Sequence, residues 1–255
     1  MTRTSCPLSV IAPCLNEEFN VVALAKRTLS VLDGLGIAGE LILVDDGSSD
    51  RTWQAIERLG LQDARVGGVR HRRNLGIAPA WRSGLQAAGG ELVCLIDADL
   101  QNRPEDIPRL YRAFEEGGAD VIQGVRRPVQ TLHRHRLFTR GLNSLLNMMF
   151  ATSLSDNKSG FLLCPREVLE DILGHRFQYR YFQALVGAAA AARGFVIREI
   201  DTTFEPRQTG QSFLPRFPIA ASLRIVWELI KFRAETCWGA APGSRLERAP
   251  LVDMS

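Results

Sequence analysis

Residues 95–107 read LIDADLQNRPEDI, an apolar run that ends on two carboxylates, Asp97 and Asp99. On a strand, side chains at i and i+2 share a face, so the two acids would stand side by side. Like charges that close raise each other's pKa. A divalent cation removes that repulsion, because it takes hard oxygen ligands. Mg2+ or Mn2+ held by few protein ligands keeps open positions for a diphosphate. A blander reading is a strand end followed by a helix start, since Asn102, Pro104 and Glu105 all suit a helix N-terminus. That accounts for those three residues and leaves the paired acids unexplained. A D-x-D alone is common; its weight comes from standing at the end of an apolar strand.

Two other clusters have the same character. VDDGSSDRT (44–52) is a turn into a helix, with Asp46-Gly47 turning and Ser48, Ser49 or Asp50 capping. It also leaves Asp45 and Asp46 where a carboxylate can accept hydrogen bonds from a nucleobase or a ribose. APCLNEE (12–18) offers backbone at Pro13 to Leu15 to a base, and Glu17 to a ribose or as a helix cap.

The elements that must position these clusters alternate regularly. Apolar strands are predicted at 8–13, 40–46, 64–70, 91–97 and 120–125, with helical periods at 17–33, 50–60, 76–88 and 104–116. Near-continuous apolar strands alternating with helices imply an α/β domain, a mainly parallel sheet covered on both faces. Open parallel sheets bind ligands beyond the carboxyl ends of their strands, so the three polar clusters converge on one crevice. The second half adds an alanine-rich helix (180–193), a strand (195–204) and an amphipathic helix (219–235), and the last residues read as a flexible tail.

The chain has 255 residues and a formal net charge of +3, so total charge selects no partner. Five scattered cysteines, with no C-x-x-C, read as reduced thiols and a cytoplasmic setting. Four histidines offer no zinc spacing, so any metal is held by oxygen. No stretch reaches the roughly 20 apolar residues of a membrane span. The expectation is a soluble protein or one peripheral on the cytoplasmic membrane face.

With these motifs in place, the chain resembles family 2 glycosyltransferases of the GT-A fold. The segments APCLNEE, VDDGSSDRT, RNLGIAPAWRSGL and DADLQNRPEDI carry the resemblance, together with GVR (124–126), DNKSGF (156–161) and FEPRQTGQSF (204–213). It is closest to the polyprenyl- or dolichyl-phosphate mannosyl- and glucosyltransferases and runs in order from about residue 8 to 213. The resemblance implies one GT-A domain over 1–215, with a donor half to about 125 and an acceptor half over about 126–215. A helix at 216–236 and a tail at 237–255 follow.

It also implies roles. Pro13, Leu15, Glu17, Val44 and Asp46 fall where the family binds the nucleoside. Asp97, Ala98, Asp99 and Gln101 fall where it binds diphosphate and metal, with Asp97, Asp99 and Gln101 at the cation. Arg126 and Arg207 match its phosphate-contacting arginines, and Arg136 and Arg140 fall at its acceptor-phosphate site. The departures are Leu15 where an aromatic is usual, Gly-Val-Arg for Gly-Ser-Arg, Phe213 where Lys or Arg is usual, and Asn157-Lys158 for D-P-x. Apart from Leu15, they gather on the acceptor side.

The implied reaction is inverting transfer of a sugar from a UDP- or GDP-sugar to a polyprenyl phosphate. The catalytic residues would be Asp99, Arg207 and Asp156, the last as the nearby carboxylate for an acceptor that needs a base. Transfer to a lipid or small-molecule hydroxyl is one alternative, and a non-catalytic nucleotide-binding protein is another. Residues 121–155 contain no acid and include Arg126, Arg127, Arg134, Arg136 and Arg140, followed by an apolar, Met-bearing stretch. That combination suits a lipid phosphate at a membrane surface better than nucleic acid. On helix 219–235, Arg224, Glu228, Lys231 and Glu235 form one narrow polar stripe. The remaining apolar surface suits a core, a homodimer contact or the bilayer interface.

Overall fold

The computed structural model describes residues 7–126, 141, 143–144, 146–150, 152–157, 159–175, 179, 182–205 and 227–235. Seven strands form one sheet in the order β3-β2-β1-β4-β6-β5-β7. They are β1 (Leu8–Cys14), β2 (Gly39–Asp45), β3 (Val66–Arg70), β4 (Leu92–Leu95), β5 (Val121–Arg126), β6 (Leu162–Pro165) and β7 (Ile197–Thr202). The first four are mutually parallel, and β5 runs parallel to β7. β6 is antiparallel to both its neighbours, β4 and β5.

Alternation along the strands divides the core into two layers. Ile11, Ile42, Val44, Val93 and Leu95 face one side. Leu8, Val10, Leu41, Leu43 and Cys94 face the other. The helices α3 (Ile77–Ala87), α5 (Arg166–Leu173) and α6 (Val186–Ala192) cover the first side through Trp81, Leu85, Leu169, Ile172 and Ala189. The second side is covered by α1 (Val21–Leu35), α2 (Thr52–Gln62) and α4 (Ile107–Glu115), through Leu24, Leu32, Ile56, Ile107 and Leu110. Each such leucine or isoleucine, fully buried, contributes on the order of 2 kcal/mol by leaving water.

From β1 the chain moves outward through β2 to β3, then returns across the sheet to β4 on β1's other flank. The winding reverses between β1 and β4, and such a reversal opens a crevice at the carboxyl ends of the strands. Several predicted elements differ in their bounds from the sequence expectation. The strand expected over 91–97 stops at Leu95. The helix expected from residue 17 starts at Val21, because Glu17 to Asn20 form a turn in which Glu17 O accepts from Asn20 N. The alanine-rich helix is shorter than 180–193, a 3-10 turn (Phe182–Leu185) followed by α6.

Near the carboxyl end, residues 227–235 are helical; the rest of the predicted 219–235 helix lies outside the described residues. Leu229 and Phe232 are buried, the Phe232 ring against Phe150 and Tyr179, while Trp227 and Ile230 are 64% and 52% exposed. Tyr179 donates to Glu235 at 2.5 Å, and burial together with that carboxylate pushes the phenol's pKa up. No helix among the described residues is long and apolar enough to cross a membrane. The three described cysteines, Cys14, Cys94 and Cys164, are buried free thiols.

Candidate active site

The crevice is built from three loops. The loop after β1 is laced to the loop after β2. Asn16 N donates to Ser48 Oγ at 2.9 Å, Glu17 N to Thr52 Oγ1 at 2.8 Å, and Ser49 N to Asn16 Oδ1 at 2.9 Å. Asn16 takes a left-handed φ of 57°, a conformation asparagine tolerates. The Glu17 carboxylate accepts from Asn20 Nδ2 at 2.6 Å, so it serves the turn into α1.

The two acids after β2 diverge. Asp45 is wholly buried; Oδ1 accepts Ser48 N at 2.9 Å, and Oδ2, with no hydrogen-bond donor, lies 3.6 Å from Arg70 Nε. Asp46 is also buried and receives three donors. His71 Nδ1 lies 2.7 Å from Oδ1, Leu75 N donates to Oδ1 and Gly76 N to Oδ2, both at 2.9 Å. His71 Nε2 in turn meets Ser83 Oγ at 2.8 Å. Asp46 therefore ties the loop after β3 to the end of β2.

The third loop carries Asp97 and Asp99 on a turn beyond β4, with Leu100 at a φ of 61°. The strand alignment expected for the pair is thus not what brings them together. Asp97 is half-buried and Asp99 is 8% exposed. Asp99 Oδ1 accepts Gln101 N at 3.1 Å and so shapes the turn itself. Asp97 Oδ2 lies 3.4 Å from Asn102 Nδ2, and Asn102 Oδ1 is buried with no hydrogen-bond partner. The segment after β7 closes over this turn. Glu205 N donates to Gln101 O at 2.8 Å, and Asn102 bridges to Phe204. Arg27 grips Glu105 through two hydrogen bonds of 2.8 and 2.6 Å and holds that carboxyl below its usual pKa. Arg103 lies 3.3 Å from Glu205.

On β5, Gln123 is buried and donates through Nε2 to the carbonyls of Asp156 and Ser159, at 3.0 and 3.1 Å. Asn157 is wholly buried; its Nδ2 reaches Asn143 Oδ1 and Asn147 Oδ1, each at 2.9 Å. The Glu199 carboxylate takes Ser155 N at 2.7 Å and Asp156 N at 3.1 Å. A loop this thoroughly clamped presents the half-buried Asp156 on a fixed backbone.

A reversed βα winding with two carboxylates on the turn at the reversal agrees with what relatives share. The sequence profile of Glycosyl transferase family 2 matches residues 9–173. The chain belongs to glycosyl transferase family 2. It is 30% identical over 236 residues to the undecaprenyl-phosphate 4-deoxy-4-formamido-L-arabinose transferase of Edwardsiella ictaluri, covering 92% of this chain and 69% of that protein. With the enzyme of that description from Shewanella sediminis the identity is 32% over 208 residues, 80% of this chain and 61% of the relative. The chain thus spans about two thirds of the length of these relatives. Among solved structures it superposes on Mycobacterium tuberculosis glucosyl-3-phosphoglycerate synthase with Mg2+ and UDP at a TM-score of 0.68 and 21% identity. That match covers 89% of this chain and 79% of the other. The same synthase with Mn2+, UDP-glucose and phosphoglyceric acid gives a TM-score of 0.66. These likenesses establish the GT-A fold.

Within this family 2 domain, the sequence-predicted residues fall as follows. Pro13 and Leu15 are half-buried at the end of β1. Val44 and Ala98 are buried, so their side chains belong to the core and only backbone could face a nucleoside. Gln101 is half-buried, with Nε2 3.5 Å from Glu205 O. Arg136, Arg140 and Arg207 lie outside the described residues, and Arg126 is described only as the last backbone position of β5. A divalent ion fits the turn: Asp97 and Asp99 supply hard anionic oxygens beside the orphaned Asn102 carbonyl. No group of three or more His, Cys, Asp or Glu side chains able to hold a metal occurs among the described residues.

Sequence reasoning missed His71, Gln183, Asn143 and Asn147, and marked Asn157 only as a departure from the family pattern. His71 was findable: it follows β3 directly, and the pairing of Asp45 with Arg70 sets the residues after both strands together. The asparagines and Gln183 carry no periodic signal.

Proposed function

We propose that this chain transfers a sugar from a nucleotide-sugar donor to a polyprenyl phosphate, with inversion at the anomeric carbon. The observation that carries the reading is the Asp97–Asp99 turn at the winding reversal, where open sheets of this kind bind their ligands. The acceptor class comes from the relatives, whose names specify undecaprenyl phosphate. The bond from the anomeric carbon to the donor diphosphate breaks, and its electron pair leaves with the nucleoside diphosphate. A bond from an acceptor phosphate oxygen to that carbon forms from the opposite face.

Asp97 and Asp99, with Gln101 beside them, would hold Mg2+ or Mn2+, which supplies positive charge to the leaving diphosphate. Arg207 would add to that charge, and Arg126, Arg136 and Arg140 would orient the acceptor phosphate. A phosphate oxygen is already an anionic nucleophile and needs no base, so Asp156 would act as one only for a hydroxyl acceptor. Pro13, Leu15, Glu17 and the Asp46-braced loop would hold the nucleoside.

Met148, at 76%, Trp227 and Ile230 are large exposed hydrophobics on the two helical segments that pack together through Phe150 and Phe232. We assign them to the membrane surface that carries the acceptor. The decisive assay incubates the protein and Mn2+ with UDP-, GDP- and TDP-sugars, with and without undecaprenyl phosphate in detergent. Consumption of one donor only when the lipid phosphate is present supports the reading. Transfer to a hydroxyl acceptor with no response to lipid phosphate overturns the acceptor assignment. Absence of any donor binding or turnover overturns the enzyme.

A further inference from the structure

Asp97 is held from two sides by neutral amides. Asn102, five residues along the same loop, places Nδ2 3.4 Å from Oδ2. Gln183 reaches across from the other half of the domain, with Nε2 3.4 Å from Oδ1 and 3.3 Å from Oδ2. It stands on the 3-10 turn (Phe182–Leu185), between the wholly buried Phe182 and α6. Its side chain is pinned. A Cβ at Gly160 would lie 2.6 Å from Gln183 Nε2 and 3.2 Å from its Cδ, so the backbone at Gly160 lies close against the amide. Nothing in the reaction outlined above uses this residue.

We propose that Gln183 is the positioning residue for Asp97, and that its lack of charge makes divalent-ion binding depend on the nucleotide's diphosphate. The proposal rests on the assignment of Asp97 to a metal. A forked N–H donation fixes the rotation of the carboxylate without adding a ligand or a charge. Two carboxylates hold a hard divalent ion weakly, and the diphosphate oxygens supply what is missing. A carboxylate in place of the amide would crowd a third negative charge against Asp97, and a cation would relieve the repulsion even without nucleotide. The amide therefore makes ion and nucleotide enter and leave together.

The experiment follows free Mn2+ by electron paramagnetic resonance in titrations of the wild type, Gln183→Glu, Gln183→Ala, Gly160→Ala and Asp97→Ala, with and without UDP. The wild type binds Mn2+ far more tightly with UDP than without. Gln183→Glu tightens binding of Mn2+ alone by about 10-fold, a gain no merely structural lesion produces. Gln183→Ala and Gly160→Ala weaken binding of Mn2+ with UDP by about 10-fold, as loss of a ligand-orienting hydrogen bond does. Gln183→Glu keeps the volume packed on Gly160 and decides the matter should the alanine variants fold poorly. Wild-type Mn2+ affinities in Gln183→Glu, with and without UDP, overturn the proposal. If Asp97→Ala also leaves Mn2+ binding intact, the failure belongs to the metal assignment itself.

Discussion

The two acids on the β4 turn are neighbours with different jobs. Asp99 is buried and spends one oxygen on Gln101 N, so it fixes the turn as well as offering charge. Asp99→Asn retains an oxygen for that bond and removes the negative charge. Its melting temperature should stay within a few degrees of wild type while the transfer rate falls by about 100-fold or more. Parallel melting curves and initial rates check this; a large loss of stability would mean that the charge serves folding. Asp46 is the contrasting case, since three donors already occupy it. His71→Ala strips one donor from that buried carboxylate and leaves Ser83 Oγ without its ring partner. Urea denaturation should register a loss of about 2–4 kcal/mol.

At the scale of elements, the loops after β2 and β3 meet at Gly47. Its φ is +78°, and a Cβ there would fall 2.4 Å from the carbonyl carbon of Arg73 and 2.6 Å from Asn74 N. Both contacts are backbone, which cannot step aside as a flexible side chain does. Gly47→Ala combines left-handed strain of about 1 kcal/mol with overpacking of about 1–3 kcal/mol. A lowered urea midpoint, accompanied by weaker UDP binding as the two loops are forced apart, is the expected result. Gly34→Ala, with nothing within 4 Å of its Cβ, serves as the control.

Element by element, the sequence was legible where apolar runs were long and bounded by polar clusters. The parallel strands β1 to β4 and the helices between them announce themselves in this way, and with them the crevice. β6 was not legible, because four residues, Leu162 to Pro165, cannot separate strand from helix by period. Its antiparallel partners lie far away in sequence, in β4 and β5. The carboxylate pair was found for an imperfect reason: the strand ends at Leu95, and a turn rather than a pleat places Asp97 and Asp99. Gln183 was invisible because its importance comes from contacts with Asp97 and Gly160, residues 86 and 23 positions away in the chain.

For the whole molecule, the junction that carries Gln183 also sets a pH limit on stability. His175 follows α5 and stacks on Phe182 at 4.3 Å, with Tyr179 at 5.3 Å and Arg82 Nη2 2.9 Å from its Nε2. Burial lowers its pKa to about 4, the Arg82 and Arg193 charges act in the same direction, and Glu235 opposes them. The native state thus prefers the neutral ring, while the unfolded chain takes up a proton near pH 6.5. The stabilisation is complete above about pH 6.5 and is lost as the pH falls toward 4, by roughly 2–3 kcal/mol in all. Urea midpoints measured from pH 7 to 4.5 should fall along this course, and the difference between wild type and His175→Gln should shrink over the same window. A difference that stays constant with pH would show that His175 does not carry the effect. Because Phe182 precedes Gln183, protonation that loosens the stacked rings also releases the amide from Asp97. Mn2+ binding in the presence of UDP should then weaken with acid more steeply in the wild type than in His175→Gln.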